Sequence, residues 1–481
     1  MPDGSRRRGL PGPLLALLYV LIVILPIGLA AAMTGGKGAD AWVRACAAAG
    51  LAAGAMILLQ MVSSGRFERL SGRIGIDVTM GFHKWAAPLA LVLALAHPLL
   101  YLGLPDPQRP RRFYNHLNTL WNAPHLADGR WALLLLLILV ALALLRDRLP
   151  LRYEVWRMSH AIVAYALVAL IVAHALSDGR HSTRGALPFY WLLLAAAVAG
   201  PALWVYLRRL LAGAEGDWRL ASSRKVADRL WEVTLTGNSG QSLDFRAGQF
   251  AWLAFGRHRL PLFDHPFSIA SPPDQGAAPR FLIQEAGDFT RSIGRLPHGT
   301  RVGIDAPHGS FPLDGGGNAV LLIAGGVGIA PILSLLGDMA ARADDRAVRL
   351  IYAARSPDAM LHDSFWRPAL EALDGRATLL SDAPTDRPGI GQGPLGEAHL
   401  RAALEGIDPK RVKVRICGPG PMMTMATDCL HRCGVPLANV DYERFSYSTA
   451  SLSRRDLRAL AGFLLSWAAI AAAVAGFALA G

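Results

Sequence analysis

Cysteine is scarce in this chain. Only Cys46, Cys417, Cys429 and Cys433 occur in 481 residues, and no two form a Cys-x-x-Cys pair. No four-cysteine iron–sulfur spacing exists, and a disulfide framework is not indicated. Cys429 and Cys433 read as reduced core thiols. Charge is also thin: 18% of residues are charged against 52% hydrophobic. That balance points to a membrane protein with a soluble part. Acidic residues are in deficit, which leaves a formal net charge of +13. Such an excess would suit nucleic acid, but the basic residues do not cluster on a soluble helix. Arg6, Arg7 and Arg8, then Arg66, Arg69 and Arg73, then Arg146, Arg148 and Arg152, then Arg208 and Arg209 flank apolar runs. A positive-inside pattern explains them better than nucleic-acid binding does.

Apolar runs are what the chain has in abundance. They lie near 13–33, 41–63, 82–104, 130–146, 156–176 and 187–209. Each is about 20 residues or slightly less, enough to cross a hydrocarbon core. The first follows three arginines, yet it is long and shows no small-residue cleavage site, so a retained signal anchor describes it. The arginines place the N-terminus in the cytoplasm and the 64–81 and 147–155 loops on the same side. The loop 105–129, expected outside, breaks the rule with Arg109, Arg111 and Arg112. A seventh run, 457–480, would carry the C-terminus to the outside.

Two of these runs hold histidine pairs at one spacing: His83 with His97, and His160 with His174. Fourteen residues is close to four helical turns, so both members of a pair project from nearly the same face, roughly 21 Å apart along the axis. Two such helices side by side would offer two stacked His–His pairs, one near each membrane surface. A lone buried histidine reads as a helix–helix hydrogen bonder. Two pairs at identical spacing suit two haems, each held by two axial imidazoles, and ionisable groups inside a membrane are functional candidates by default. The topology puts His83 and His160 at the inner level and His97 and His174 at the outer level.

Residues 217–445 look soluble. From 217 to 312 short β-like runs alternate with Gly and Pro, the pattern of a small antiparallel barrel. From 319 to 445 apolar strands alternate with helical stretches, which argues for a parallel α/β sheet. Gly325-Gly326-Val327-Gly328-Ile329-Ala330-Pro331 follows a strand and opens a helix. Glycines there let backbone approach a pyrophosphate at a helix N-terminus, although a ligand-free tight turn would look alike. It is not the G-x-G-x-x-G fingerprint. His265-Pro266-Phe267-Ser268 pairs an aromatic with a hydroxyl, which can stack on a flavin and donate to it; an ordinary strand is the plainer reading. Gly287-Asp288-Phe289-Thr290 either caps a helix or presents N–H groups to a diphosphate. Cys417-Gly418-Pro419-Gly420-Pro421 ends a strand at the carboxyl edge where doubly wound sheets bind ligands. Glu443-Arg444-Phe445 ends the last expected strand.

Together and in this order, these motifs resemble the ferredoxin–NADP reductase superfamily. Joined to the four-histidine membrane part, the chain resembles the NADPH oxidase and ferric reductase family over residues from about 40 to 445, including Tyr153-Glu154-Val155-Trp156-Arg157 ahead of His160. The resemblance implies that His265, Pro266, Phe267, Ser268, Gly287 and Thr290 bind FAD. It implies that Gly325, Gly326, Gly328, Pro331, Cys417 and Gly418 bind the nicotinamide nucleotide. Phe445, beside Glu443, would stack near the isoalloxazine, and Ser268, Cys417 and Phe445 would be the catalytic group. Arg355 could meet a 2′-phosphate, which favours NADPH over NADH, or be a solvated loop charge. Here 36 residues follow Phe445, where much of the family ends.

The expected fold is therefore a multidomain membrane protein. An all-α haem-binding bundle (1–212) precedes an antiparallel β-barrel FAD domain (217–312), an α/β NAD(P)H domain (313–446) and a C-terminal membrane helix (456–481). Electrons would pass from cytosolic NAD(P)H through FAD and two b haems, ligated by His83, His97, His160 and His174, to a periplasmic acceptor across a bacterial inner membrane. Oxygen, giving superoxide, is the leading acceptor. A ferric chelate is the rival. Arg109, Arg111, Arg112, Arg180 and Arg184 could draw an anionic acceptor such as a ferric chelate or superoxide, although solvated loop charges are the plainer reading. An electron donor to a periplasmic protein partner, and a membrane scaffold with degenerate sites, are two further readings.

Overall fold

The computed structural model describes residues 10–34, 40–64, 76–103, 107–108, 110–178, 181–212, 218–256, 263–309, 311, 313, 316–443 and 454–480. The chain divides into two compact units, Arg8–Arg208 with Ala459–Gly481, and Met1–Arg7 with Arg209–Arg458.

The first unit is helical: α1 (Gly12–Thr34), α2 (Ala41–Leu59), α3 (Ile76–Leu102), α4 (Pro110–Asn122), α5 (Ala127–Leu144), α6 (Tyr153–Ser177) and α7 (Leu187–Ala212). The sequence of α2 explains why it is the buried helix of this group. Ala48, Ala52 and Ala55 are fully buried, and small side chains let neighbouring helices approach closely where lipid removes the hydrophobic drive. Asp40 caps its start by accepting from the Trp42 amide at 3.3 Å. The region 105–129, expected as a loop, contains α4. Its Tyr114, Leu117 and Trp121 recur at helical spacing on an exposed stripe, beside a polar stripe of Arg111, Asn115 and Asn118.

The second unit holds two sheets. The first is antiparallel, built from β1 (Trp218–Ala227), β2 (Leu230–Thr236), β3 (Phe250–Phe255), β4 (His265–Ser268), β5 (Arg280–Gln284) and β6 (Arg301–His308), in the order β4-β3-β6-β1-β2-β5. An isolated antiparallel bridge between Ile269 and Phe281 joins the two edges. Helix α8 (Asp288–Arg291) follows β5. The second sheet alternates strands with helices: β7 (Ala319–Gly325), α9 (Ile329–Ala341), β8 (Ala347–Ala354), α10 (Arg367–Glu371), β9 (Arg376–Ser381), β10 (Ile390–Gln392), α11 (Glu397–Ala403), β11 (Val412–Cys417), α12 (Gly420–Arg432) and β12 (Val440–Glu443). All its pairings are parallel, in the order β10-β9-β8-β7-β11-β12. Strands buried on both faces need continuous apolar runs, which AVLLIAG in β7 supplies. The order reverses between β7 and β11, the crevice where such sheets bind ligands. The two sheets are tied together: the buried Ser334 hydroxyl on α9 donates to the Ser271 carbonyl at 2.8 Å.

The last helix, α13 (Arg454–Leu479), returns to the helical unit. Ile470 and Phe477 are buried in its core, and the Phe463 ring lies 4.9 Å from Phe82, next to His83. Buried Arg44 on α2 donates through Nε and Nη2 to the Ala478 carbonyl at 3.1 and 3.0 Å, placing a cation on the negative end of the α13 dipole. Among the described residues, six helical segments are long and apolar enough to cross a membrane: Gly12–Met33, Ala41–Leu59, Val78–Leu102, Pro124–Leu144, Tyr153–Ser177 and Leu460–Leu479. The expected span at 187–209 lies within α7, a helix of 26 residues. Hydrogen bonds to a charged group contribute about 1.5–3 kcal/mol. Arg44→Met should therefore lower the thermal unfolding midpoint of the full chain in detergent, and an unchanged midpoint would show that α13 is not held by this contact.

Candidate functional site

In the second unit the four motif loops converge. Ser268 on β4 pairs with Phe250 on β3. The Phe250 ring fills the space beside Gly309, where a Cβ would meet Phe250 Cδ1 at 2.8 Å and the Glu443 carboxylate at 3.6 Å. Glu443 on β12 is in register with Cys417 on β11, and Cys417 with Ala324 on β7. Ser268, Glu443, Cys417 and the Gly325–Gly328 turn thus share one edge, although Ser268 and Glu443 are 175 positions apart in the chain (443 minus 268). The fifth motif joins through aromatic contact. His265 stacks on Phe289 with ring centroids 4.5 Å apart and planes 2° from parallel.

Two details define what this edge can hold. Gly326 has φ +55°, a left-handed backbone that glycine adopts without cost. A Cβ on Gly328 would collide with the Cys417 carbonyl, and one on Gly325 would lie 2.7 Å from Pro419 Cδ, so the β7 and β11 turns touch backbone to backbone. That leaves a side-chain-free floor before the α9 N-terminus, with Pro331 buried in its first turn. Secondly, the Ser268 hydroxyl is buried without a hydrogen-bond partner. A buried orphan hydroxyl is costly unless a ligand completes it, which fits a polar-edged ring such as flavin. The Thr290 hydroxyl is differently occupied: it accepts from the Ala286 and Gly287 amides at 2.8 and 2.9 Å. Burial pushes the Cys417 thiol well above its ordinary range, with the Glu443 charge adding to it, so Cys417 offers a neutral S–H rather than a thiolate. Arg355, just past β8, is exposed. Phe445 and Arg444 lie outside the described residues, as do Arg109, Arg180, Arg6, Arg7, Arg8, Arg66, Arg69 and Arg73.

In the helical unit, α3 and α6 carry their histidines in the same frame. His83 comes seven residues after the start of α3 at Ile76, and His160 seven after the start of α6 at Tyr153. The His97 and His174 ring centroids lie 6.4 Å apart in an edge-on arrangement with planes at 70°. A metal–imidazole bond is about 2 Å and a ring nitrogen sits about 1 Å from its centroid, so two axial imidazoles on one iron lie about 6 Å apart. The pair matches that spacing. The tautomer is also set: His97 Nδ1 is 2.8 Å from the Cys46 carbonyl, which can only accept, so Nε2 keeps the free lone pair. Ser63 Oγ donates to Gln60 Oε1 at 2.8 Å and lies 3.1 Å from His83 Nδ1, with the donor of that second bond set by the His83 tautomer. His160 Nδ1 and His174 Nδ1 are buried without partners. Trp156 lies 5.3 Å from the His160 ring, and Arg146 sits 4.9 Å over Trp156.

The residue pattern did not single out Ser63, Gly50 or Gly129. Gly50-Leu51-Ala52-Ala53-Gly54 did carry a usable signal, a small-x-x-x-small stretch inside an apolar helix. Ser63 carried none, since a hydroxyl at a helix end is common.

A model of ferric reductase-like transmembrane components matches residues 49–171, which include His83, His97 and His160. A model of oxidoreductase NAD-binding domains matches residues 322–428. The reductase component of propane 2-monooxygenase from Mycolicibacterium smegmatis is 32% identical over 212 residues, 42% of this chain and 60% of that protein. A probable electron transfer subunit of dihydroorotate dehydrogenase B (NAD(+)) from Methanothermobacter thermautotrophicus is 31% identical over 203 residues, 42% of this chain and 68% of that protein. The chain thus spans about 60% of the curated relatives it matches first. The FAD/NAD-binding domain of a Vibrio cholerae nitric oxide dioxygenase covers 48% of this chain and 98% of its own length, at 18% identity and a TM-score of 0.43.

The orphan hydroxyl yields a sharp expectation. Ser268→Ala removes no hydrogen bond from the protein without flavin, so its unfolding midpoint should stay put. FAD affinity in a fluorescence titration should fall by about 1 kcal/mol, roughly five-fold. Unchanged affinity would remove Ser268 from the flavin site.

Proposed function

We propose, for a chain that belongs to the ferric reductase-like membrane family carrying an FAD- and NAD-binding oxidoreductase module, that it moves electrons from cytosolic NAD(P)H across the membrane to oxygen. The balance is NAD(P)H + 2 O₂ → NAD(P)⁺ + H⁺ + 2 superoxide. FAD supplies the conversion of a hydride into single electrons, and two b haems supply the path through the apolar layer. The observation that carries this reading is the 6.4 Å separation of the His97 and His174 rings inside two apolar helices.

Each group of residues then has a task. Ser268 donates to the flavin ring, with His265, Pro266 and Phe267 lining its face and the Gly287–Thr290 turn at its diphosphate. Gly325, Gly326, Gly328, Pro331 and Gly418 leave room for the nucleotide backbone at the β7–β11 crevice. Arg355 faces the 2′-phosphate of NADPH. Cys417 packs as a neutral thiol beside the nicotinamide, near Glu443, and Phe445 shields the flavin. His83 with His160 and His97 with His174 would hold the two irons, His97 through Nε2. Two imidazole donors for each iron would supply outer-sphere electron transfer rather than oxygen binding at iron. The His83 and His160 level faces the cytoplasm, in a bacterial inner membrane.

A ferric chelate is the second reading, because Arg111, Arg112 and Arg184 are exposed in the segments that follow the His97 and His174 ends of α3 and α6 and favour an anionic acceptor. The purified protein in detergent, given NADPH in air, should form superoxide read as dismutase-sensitive dye reduction. Ferric-chelate reduction without oxygen consumption would replace the first reading by the second. Loss of second-shell partners at metal sites costs about 10–100-fold, and loss of a ligand costs at least that. His97→Leu should accordingly keep NADPH-dependent flavin reduction and lose more than about tenfold of acceptor reduction. Equal loss of both would contradict the assigned order.

A further inference from the structure

Two glycines from different helices sit against the rings of His97 and His174. A Cβ on Gly50 of α2 would lie 2.7 Å from His97 Nδ1 and 2.9 Å from Cε1. A Cβ on Gly129 of α5 would lie 2.9 Å from His174 Cε1, 3.0 Å from Nδ1 and 3.2 Å from Nε2. Gly28 in α1 and Gly200 in α7 meet nothing within 4 Å, so such contact is not general to the glycines of this unit.

The Gly50 contact has a chemical consequence. Cys46 lies four residues before Gly50, so its carbonyl is the one the Gly50 amide addresses in the i→i−4 pattern of α2. The same carbonyl receives the His97 Nδ1–H at 2.8 Å. A side chain at position 50 would stand over this oxygen and push the ring away from it. Gly129 has no such bond to protect, because His174 Nδ1 has no partner; it sets only how closely, and at what tilt, that ring lies against α5. The 70° between the two ring planes is therefore framed from both sides by backbone without side chains.

We infer that Gly50 and Gly129 are positioning residues for the two imidazoles of the His97–His174 pair: Gly50 preserves the Cys46 carbonyl bond that strengthens His97 as a donor, and Gly129 fixes the plane of His174. The inference rests on the haem reading above. A hydrogen bond to Nδ1 raises the basicity of Nε2 and so favours the ferric state.

The test uses the full-length protein in detergent, with Gly50→Ala, Gly129→Ala and the control Gly28→Ala. Haem per protein, the low-temperature electron paramagnetic resonance spectrum of the oxidised protein, and a redox titration are read for each. Both test variants should change or lose one and the same low-spin signal of two, leaving the other signal and the control untouched. Gly50→Ala should raise the potential of the affected haem. Two unshifted signals in both variants, or equal shifts of both signals, would overturn the inference. Wild-type protein without haem would instead overturn the haem reading itself. Where Gly50→Ala accumulates poorly, the double variant with His97→Ala decides. If the collision is with the ring, the double variant is as stable as His97→Ala alone; if it is further destabilised, the glycine serves helix packing only and the inference fails.

Discussion

Imidazole is a poor resident of a hydrocarbon layer. Each of the four histidines in α3 and α6 must find partners inside the bundle or be costly there, and the rest of the helical unit is arranged around that demand. A fourteen-residue interval repeats the same helical face, so two helices in one frame bring partners to two levels at once. At the His97–His174 level the partners are backbone: the Cys46 carbonyl below His97 and glycine surfaces behind both rings. At the other level the Ser63–Gln60 pair steers His83. Small residues in α2 are what allow these approaches, and α13 closes the bundle beside Phe82, anchored by Arg44.

The reductase unit solves a different problem, that of bringing distant chain segments to one edge. Parallel strands with short turns deliver the Gly325–Gly328 and Cys417–Gly418 turns to the same crevice because β7 and β11 are neighbours despite 86 intervening residues (412 minus 325, less one). The antiparallel sheet contributes Ser268, and the Ser334–Ser271 bond holds that strand to the helix that follows the glycine turn. A hydride donor site and a flavin site assembled this way share structural members, so movement of one element is felt by the other.

Much of this was legible beforehand, for reasons that differ by region. Apolar length and the histidine interval are local signals, and α3 and α6 lie where they pointed. Strand and helix alternation likewise read directly, because parallel strands need unbroken apolar runs. The contacts that give the sites their chemistry were not legible. The pairing of Gly50 with His97 depends on how α2 and α3 rotate against each other, and nothing in either helix alone states it. Helix α4 was hidden because its exposed aromatic stripe and its arginines read as a loop that breaks the charge rule. The Ile269–Phe281 bridge between the edges of the antiparallel sheet is a contact that no local pattern encodes.

The most direct test of the account is an anaerobic absorption spectrum of the purified, FAD-loaded protein before and after NADPH. Bis-imidazole ligation at two levels predicts a low-spin b-type spectrum, about two haems for each FAD, and full reduction of both by NADPH. Protein that carries no haem, or whose haem NADPH leaves oxidised, would contradict it and leave a flavin reductase on a membrane anchor.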